Sequence, residues 1–345
     1  MHVELLLPGL PWPTAPQIRA ARDLALPALA ELISLAQIQW DAPCRPETLL
    51  AQRFGLEGPR LPYAALRRHG EAGPAPEAEA HWLCCDPVYL HFASDALLVS
   101  DASGLAITPA EIATLLAGLN ETFADIGQFE AAGPTRWYLR LNAEAAPYFH
   151  PLWDVNGRPM QLFLPEGDNT APWARLMNEI QVWLYNHPVN AAREDAGLRS
   201  INSVWLWGAG PRPGALQAPA GQLWGDDPTL TGLARLSNTP VAPLARWAGV
   251  GSDSLVLVND LQQAAFQLDL DAWQRSLKDL EERWFAPLLA DLQARRITRL
   301  QIRAPGEKHF LHLDIQPGSR WKFWRKPVSL DTLLSQAPQP HVHQP

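Results

Sequence analysis

Residues His187–Gly210 read HPVNAAREDAGLRSINSVWLWGAG, and this stretch decides how the chain folds. Its first half reads as a helix that closes, with Asn190 and Arg193 three apart and so on one helix face. Its second half is an apolar strand, Ile201–Trp207, in which Trp205 and Trp207 stand at i and i+2 and share a face. Gly208 and Gly210 follow as a glycine turn. Glycines just past a strand let the backbone come close to another segment or to a bound anion. His187 and Asn202 lie near Asn190 and Arg193 in sequence, which leaves two readings open. One is a polar pocket whose Arg fork clamps a carboxylate or a phosphate; the other is a polar network that fixes a junction between domains. The candidate ligand-binding residues are therefore His187, Asn190, Arg193, Asn202, Trp205 and Trp207, for a small phosphorylated or carboxylate ligand.

Outward from this stretch, periodicity gives the remaining elements. Pro172–Asn186 carries Leu176, Ile180, Trp183 and Leu184 as one apolar helical stripe. Thr108, Pro109 and Glu111 form a capping box for a helix that runs to about Phe123. Trp82–Cys85, Val88–Phe92, Ala96–Val99 and Arg136–Leu141 read as strands. Asp86-Pro87 is a turn between the first two, and Asp95-Ala96 is a hairpin turn. Cys84 and Cys85 face opposite sides of a strand as a buried, inert pair. Toward the N-terminus, Val3–Leu7 is a short buried strand. Helical spacing follows from Ala15 to Gln39 with a restart near Pro27, and a short helix covers Glu47–Phe54. Toward the C-terminus, Gln222–Trp224 and Ser254–Val258 are strands, with helices near Thr229–Leu236 and Pro240–Ala248. Ala272–Leu292 is a long helix with Pro287 inside it, and Ile297–Arg303 and His309–Ile315 form a hairpin through Pro305-Gly306. Strands and helices at both ends, with an α+β block between them, predict one parallel or mixed sheet split by an inserted smaller domain.

Composition narrows the function. The chain has 345 residues, 47% hydrophobic, with a formal net charge of −8, which argues against nucleic acid as a partner. Three cysteines without a CxxC pair fit neither a disulfide framework nor a zinc site, and point to a reducing compartment. The N-terminus lacks a basic region and a long apolar run, and no run approaches the roughly 18 residues of a spanning helix, so a cytoplasmic chain without membrane contact is expected. Fifteen tryptophans and 33 prolines imply a loop-rich fold with tryptophans in its core and rims, or an aromatic binding surface if they cluster. WKFWRKP (Trp321–Pro327) interleaves aromatics with cations and reads as a docked C-terminal tail or as a stacking-plus-charge patch.

DPVYLHF (Asp86–Phe92), ALLVSDASGLAITPAEIATLLAGLN (Ala96–Asn120), RWYLRL (Arg136–Leu141) and the ordered set His187, Asn190, Arg193, Gly197, Asn202, Trp205, Trp207, Gly208 and Gly210 together resemble the archaeal-type cofactor-independent phosphoglycerate mutases of the alkaline-phosphatase superfamily. The chain also looks like a bacterial group with this mutase-like middle, whose members are named as phosphoglycerate mutases or as regulatory proteins of a pathogenicity-factor type. The resemblance implies an α/β, alkaline-phosphatase-like mixed or parallel sheet with helices on both faces, interrupted by a smaller α+β domain. Residues 1–80 and 205–345 would form the core domain, and residues 81–204 the insert.

The ends depart from the family pattern. Members open with a strand that delivers a metal-binding Asp followed by Gly; this chain has Leu7-Pro8-Gly9. Members start the next helix with a Ser or Thr nucleophile in a TPN-type motif; this chain has Leu26-Pro27-Ala28. Near the C-terminus members use Asp-His and further His ligands, where GEKHFLHLD offers Glu307, His309, His312 and Asp314. His309 and His312 are on opposite faces of a predicted strand. Thr14, after the first strand, has no base at a recognisable spacing. Two-metal phosphoryl chemistry needs carboxylates and imidazoles converging on ions about 4 Å apart, and a nucleophile. The sequence therefore reads as a degenerate member of the mutase-like group, with no metal or cofactor, no phosphoryl transfer, and a regulatory or ligand-binding role. The alternatives are a working mutase or phosphatase using manganese or zinc on replacement ligands, and a protein-interaction module built on a tryptophan-rich surface.

Overall fold

The computed structural model describes all residues except 14–18, 59, 74–76, 78, 94, 146, 250, 317–325 and 339–345. Thr14 and most of WKFWRKP lie outside the described residues. The chain begins with β1 (His2–Leu6), α1 (Pro27–Leu35), β2 (Gln37–Asp41), α2 (Pro46–Arg53) and α3 (Tyr63–Gly70). It continues through β3 (His81–Ala93), β4 (Ala96–Asp101), α4 (Pro109–Thr122), β5 (Gly127–Gly133), β6 (Arg136–Leu141), α5 (Leu152–Val155), α6 (Ala171–Tyr185) and α7 (Pro188–Asp195). β7 (Ser203–Pro211), β8 (Gln222–Trp224), α8 (Pro228–Leu236), β9 (Val241–Ala242), β10 (Ser254–Leu257) and α9 (Gln262–Phe266) follow. The last elements are α10 (Leu270–Leu280), a π-helical turn at Glu281–Phe285, α11 (Ala286–Gln293), β11 (Arg299–Pro305), β12 (Phe310–Ile315) and α12 (Leu330–Ser335).

Residues 1–56 and 216–345 make one compact unit. Its sheet has the order β2-β12-β11-β1-β10-β8-β9. β1 is central and parallel to both β10 and β11, whereas β12 and β2 add antiparallel at one edge. Val3, Leu5, Leu6 and Leu7 are all buried, the near-continuous apolar run of a strand covered on both faces. Leu29, Leu32 and Ile33 of α1 and Trp273, Leu277, Trp284 and Leu288 of the α10–α11 segment join the same core. Trp224, Trp247 and Trp284 pack ring against ring within it, with centroids 5.7–6.1 Å apart. Those tryptophans fill the interior, as the core reading of the composition expects.

Residues 57–215 form the second unit, an antiparallel sheet of order β4-β3-β6-β5 in which β7 also pairs with β3. The units divide at 56/57 and 215/216, whereas the sequence placed the seams at 80/81 and 204/205. α3 and β7 account for the difference, because both pack with β3 in this unit. The architecture is a mixed α/β fold.

Three local expectations change. Gln37–Asp41 is an edge strand paired to β12 and not the tail of a helix, because α1 stops at Ala36, whose backbone is extended (ψ 152°). Pro240–Ala248 is not helical; Pro243 has no amide to donate and would clash with the preceding turn, and only the two-residue β9 forms. Asp86-Pro87 is not a turn either. β3 runs unbroken for 13 residues with Asp86 buried at its middle.

Candidate functional site

In open α/β sheets ligands bind outside the carboxyl ends of the parallel strands. In the first unit that place is the exit of β1 and its parallel neighbours. Past Leu6 the chain continues beside β11, with the Leu7 amide donating to the Arg303 carbonyl (2.8 Å) and the Gly9 amide to the Pro305 carbonyl (3.1 Å). Gly9 has φ +83°, and a Cβ there would lie 2.7 Å from the Leu261 carbonyl oxygen. The Trp273 indole N–H donates to the Gly9 carbonyl (2.8 Å), and Trp12 packs edge-on against Trp273. The exit of the central strand is thus closed by leucine and indole.

Neighbouring carboxylates are engaged locally. Asp227 caps α8, accepting from the Thr229 and Leu230 amides, and accepts again from Asn259. Asp226 accepts from the Leu244 amide, and Asp260 pairs with Arg283 at 3.0 Å. His312 lies 3.0 Å from Asp41 and also contacts Arg303, while His309 sits against the Trp40 ring. Burial lowers the pKa of both imidazoles, helped by the nearby cations Lys308 for His309 and Arg303 for His312. Asp314 lies toward the other end of β11, opposite Gln301, and is paired with Arg299. Among the described residues, no group of three or more His, Cys, Asp and Glu is placed to hold a metal ion. The donor set at the strand exits does not fit the divalent metal centre that the resemblance implies.

The start of α1 is occupied from within the chain. Helix N-termini present unbonded amides and a positive dipole end, a natural seat for an anion. Leu26 supplies no side-chain cap. Instead the buried Glu281 carboxylate accepts from the Ala28 amide through one oxygen (2.5 Å) and from the Leu29 amide through the other (3.1 Å). Glu281 opens the π-helical turn between α10 and α11, an extra-residue kink of the kind often kept where a side chain must be re-aimed. Sequence reasoning passed over Glu281, which lies 253 residues from Ala28. Pro287 was the local signal that the long helix is irregular there.

In the second unit the six expected ligand residues do not converge on one pocket. Asn190 is 1% exposed and donates to the Leu184 and Ile201 carbonyls while accepting from the Ile201 amide. Arg193 is 2% exposed; its fork reaches the Arg199 carbonyl, the Leu105 carbonyl and Glu111. Asn202 exchanges two 2.8 Å hydrogen bonds with the backbone of Leu90. Trp205 donates to the His150 carbonyl and Trp207 to Asp86. These side chains fasten α7 and β7 to their neighbours. Of the six, His187 is the one in the lining of a cleft of about 780 Å³ beside α4 and α6. Its Nδ1 accepts from the Val189 amide, and burial lowers its pKa.

Gly208 and Gly210 are not a turn. β7 continues through them with φ +69° and +150°, and Cβ atoms there would meet Tyr63 at 3.0 Å and Pro62 at 2.8 Å. The partner of the close approach is α3, not an anion. Gly208→Ala is expected to cost about 1–3 kcal/mol from the left-handed backbone alone, read as a fall in the denaturation midpoint at unchanged m-value.

Beneath this approach lies a buried ionic cluster that sequence reasoning missed. Arg67 of α3 grips Asp86 of β3 through two bonds of 2.8 and 2.7 Å. Asp86 accepts further bonds from the Trp137 amide (3.0 Å) and the Trp207 indole (2.9 Å). Arg67 also donates to the Tyr138 hydroxyl, which donates in turn to Glu71. Burial opposes the Arg67 charge, and Asp86 together with its other neighbours more than offsets it, so the guanidinium stays protonated. Burial would raise the Glu71 carboxyl, but hydrogen bonds from Arg136 and Tyr138 hold it below the ordinary range. Cys84 and Cys85 are free, buried and pushed well up by desolvation, as an inert pair should be.

No family model matches the chain. Part of it is similar to proteins named 2,3-bisphosphoglycerate-independent phosphoglycerate mutase. The protein of Methanothrix thermoacetophila is 40% identical over 63 residues, which is 18% of this chain and 16% of that one. Mutase 2 of Methanothermobacter thermautotrophicus is 33% identical over 110 residues, 31% of this chain and 27% of that one. The matches thus span only about a sixth to about a quarter of those relatives. In three dimensions the chain is similar to the PH0037 protein of Pyrococcus horikoshii, with a TM-score of 0.57 at 13% identity over 96% of this chain and 91% of that one. That likeness concerns the fold.

Proposed function

We propose that this phosphoglycerate mutase-like chain no longer transfers phosphoryl groups and acts by binding, in a regulatory or ligand-binding role. The observation that carries this reading is the Glu281 carboxylate on the Ala28 and Leu29 amides. The resemblance puts the nucleophile and its phosphoryl group at that helix start. A fixed carboxylate there repels a phosphate and uses the donors that would bind it. Leu7-Pro8-Gly9 and the Trp273 lid support the same reading at the neighbouring strand exit. No helix among the described residues is long and apolar enough to cross a membrane. Three free cysteines support a reducing compartment such as the cytoplasm.

The test is turnover. The chain supplied with manganese or zinc should neither interconvert 3- and 2-phosphoglycerate nor hydrolyse p-nitrophenyl phosphate above the protein-free rate. Turnover that a chelator abolishes would establish the working-enzyme alternative instead.

A further inference from the structure

The cleft lined by His187 belongs to the second unit and lies among α4, α6 and the start of α7. Its walls include Phe123, Asp125, Ile126, Glu179, Trp183 and His187. About 780 Å³ is the size of a small-molecule site. The lining has two carboxylates, Asp125 and Glu179, and neither Lys nor Arg. Its Trp183 indole is seated by design of the sequence: Gly118 of α4 leaves the space, and a Cβ there would fall 2.5 Å from the ring. Trp183 and His187 stand with centroids 4.7 Å apart. The His187 Nδ1 is an acceptor, so the imidazole is the neutral Nε2–H tautomer, and burial favours that neutral form. The lining offers an anion no cationic side chain. An indole and two carboxylates lining one cleft supply the recognition chemistry for an organic cation, through cation–π attraction and charge.

We infer that this cleft binds a small organic ammonium ion carrying an apolar or aromatic body, with Trp183 receiving the cation and Asp125 and Glu179 supplying the charge. The inference replaces the anionic ligand expected from sequence, because the Arg193 fork that would have held an anion is engaged by Glu111 and two carbonyls. It rests on the binding role proposed above but does not depend on loss of catalysis. Glu179 is paired with the exposed Arg175 at 2.7 Å, an i,i+4 contact. An exposed pair of this kind is weak, so a cation competes for the carboxylate. Removing Arg175 should therefore strengthen binding.

The experiment is a ligand-observed NMR titration of the full chain with benzyltrimethylammonium, and with phenylacetate as the anionic control. Saturable binding of the cation is expected, with Kd on the order of 1 mM, and none of phenylacetate. The Asp125→Asn/Glu179→Gln double variant, exposed enough to leave the fold intact, should weaken it about fivefold. Trp183→Leu should abolish it, and Arg175→Ala should tighten it. Equal binding of both probes, no saturable cation binding, or a cation affinity unmoved in the double variant would each overturn the assignment. Phosphoglycerate turnover in the assay above would refute the loss of catalysis while leaving this titration to stand or fall alone.

Discussion

Arg67→Ala is expected to destabilise the protein by about 3–5 kcal/mol, the cost of leaving a buried carboxylate without its partner. The loss should appear as a lowered midpoint in urea with the near-ultraviolet tryptophan signal altered, since Trp137 and Trp207 both donate to Asp86. Arg67→Lys should recover only part of it. A point charge cannot reproduce the two parallel bonds to Asp86 or the guanidinium faces packed on Tyr138 (4.7 Å) and Trp207 (5.2 Å). Replacing both Arg67 and Asp86 by apolar residues of similar volume should cost less than either single truncation, because no buried charge is then orphaned. Glu71 adds a pH dependence. Its carboxyl is held below its unfolded value, so its contribution is present above the ordinary glutamate range and is lost as pH falls through the lower, folded value. Glu71→Gln should flatten the acid limb of the stability profile.

Glu281→Ala should destabilise by about 2–6 kcal/mol, since two buried amides lose their acceptor at roughly 1–3 kcal/mol each. The distinguishing result is chemical rescue. Formate or acetate at high concentration should restore part of the lost thermal stability in Glu281→Ala and leave the native chain unmoved at equal ionic strength, with chloride as the control. A carboxylate-sized space at a helix start, with its donors still aimed inward, is what small carboxylates fill. Equal shifts in native and variant protein would mean that the Ala28 and Leu29 amides are not the seat of the effect.

Local chemistry was legible in the sequence where partners lie within a turn or two. Thr108 and Glu111 close the capping box as read, with the Thr108 amide donating to Glu111 at 2.7 Å and the Glu111 amide to Thr108 at 3.3 Å. The β1 strand, the helix restart at Pro27 and the hairpin through Pro305-Gly306 follow from apolar runs and from the backbone limits of proline and glycine. Asn190 and Asn202 carried two readings, a ligand pocket and a network at a domain junction; their bonds run to the backbone of Leu184, Ile201 and Leu90, all within residues 57–215. Long-range partners were not legible. Asp86-Pro87 has turn-like composition, and an arginine 19 residues earlier, brought over by α3, with donors from Trp137 and Trp207, lets that carboxylate sit inside a strand. The glycines of β7 announced a close approach without naming what approaches. Glu281 reads as one more polar residue on an amphipathic helix until tertiary packing sets it on α1. The cleft at His187 needed α4 and α6 in place before its charge was visible.

A crystal structure of the full chain grown with manganese and inorganic phosphate tests the central claim most directly. The account predicts the Glu281 carboxylate within hydrogen-bond distance of the Ala28 and Leu29 amides, with no phosphate at the start of α1. A phosphate seated on those amides with Glu281 turned aside, and a metal ion beside it, would contradict it.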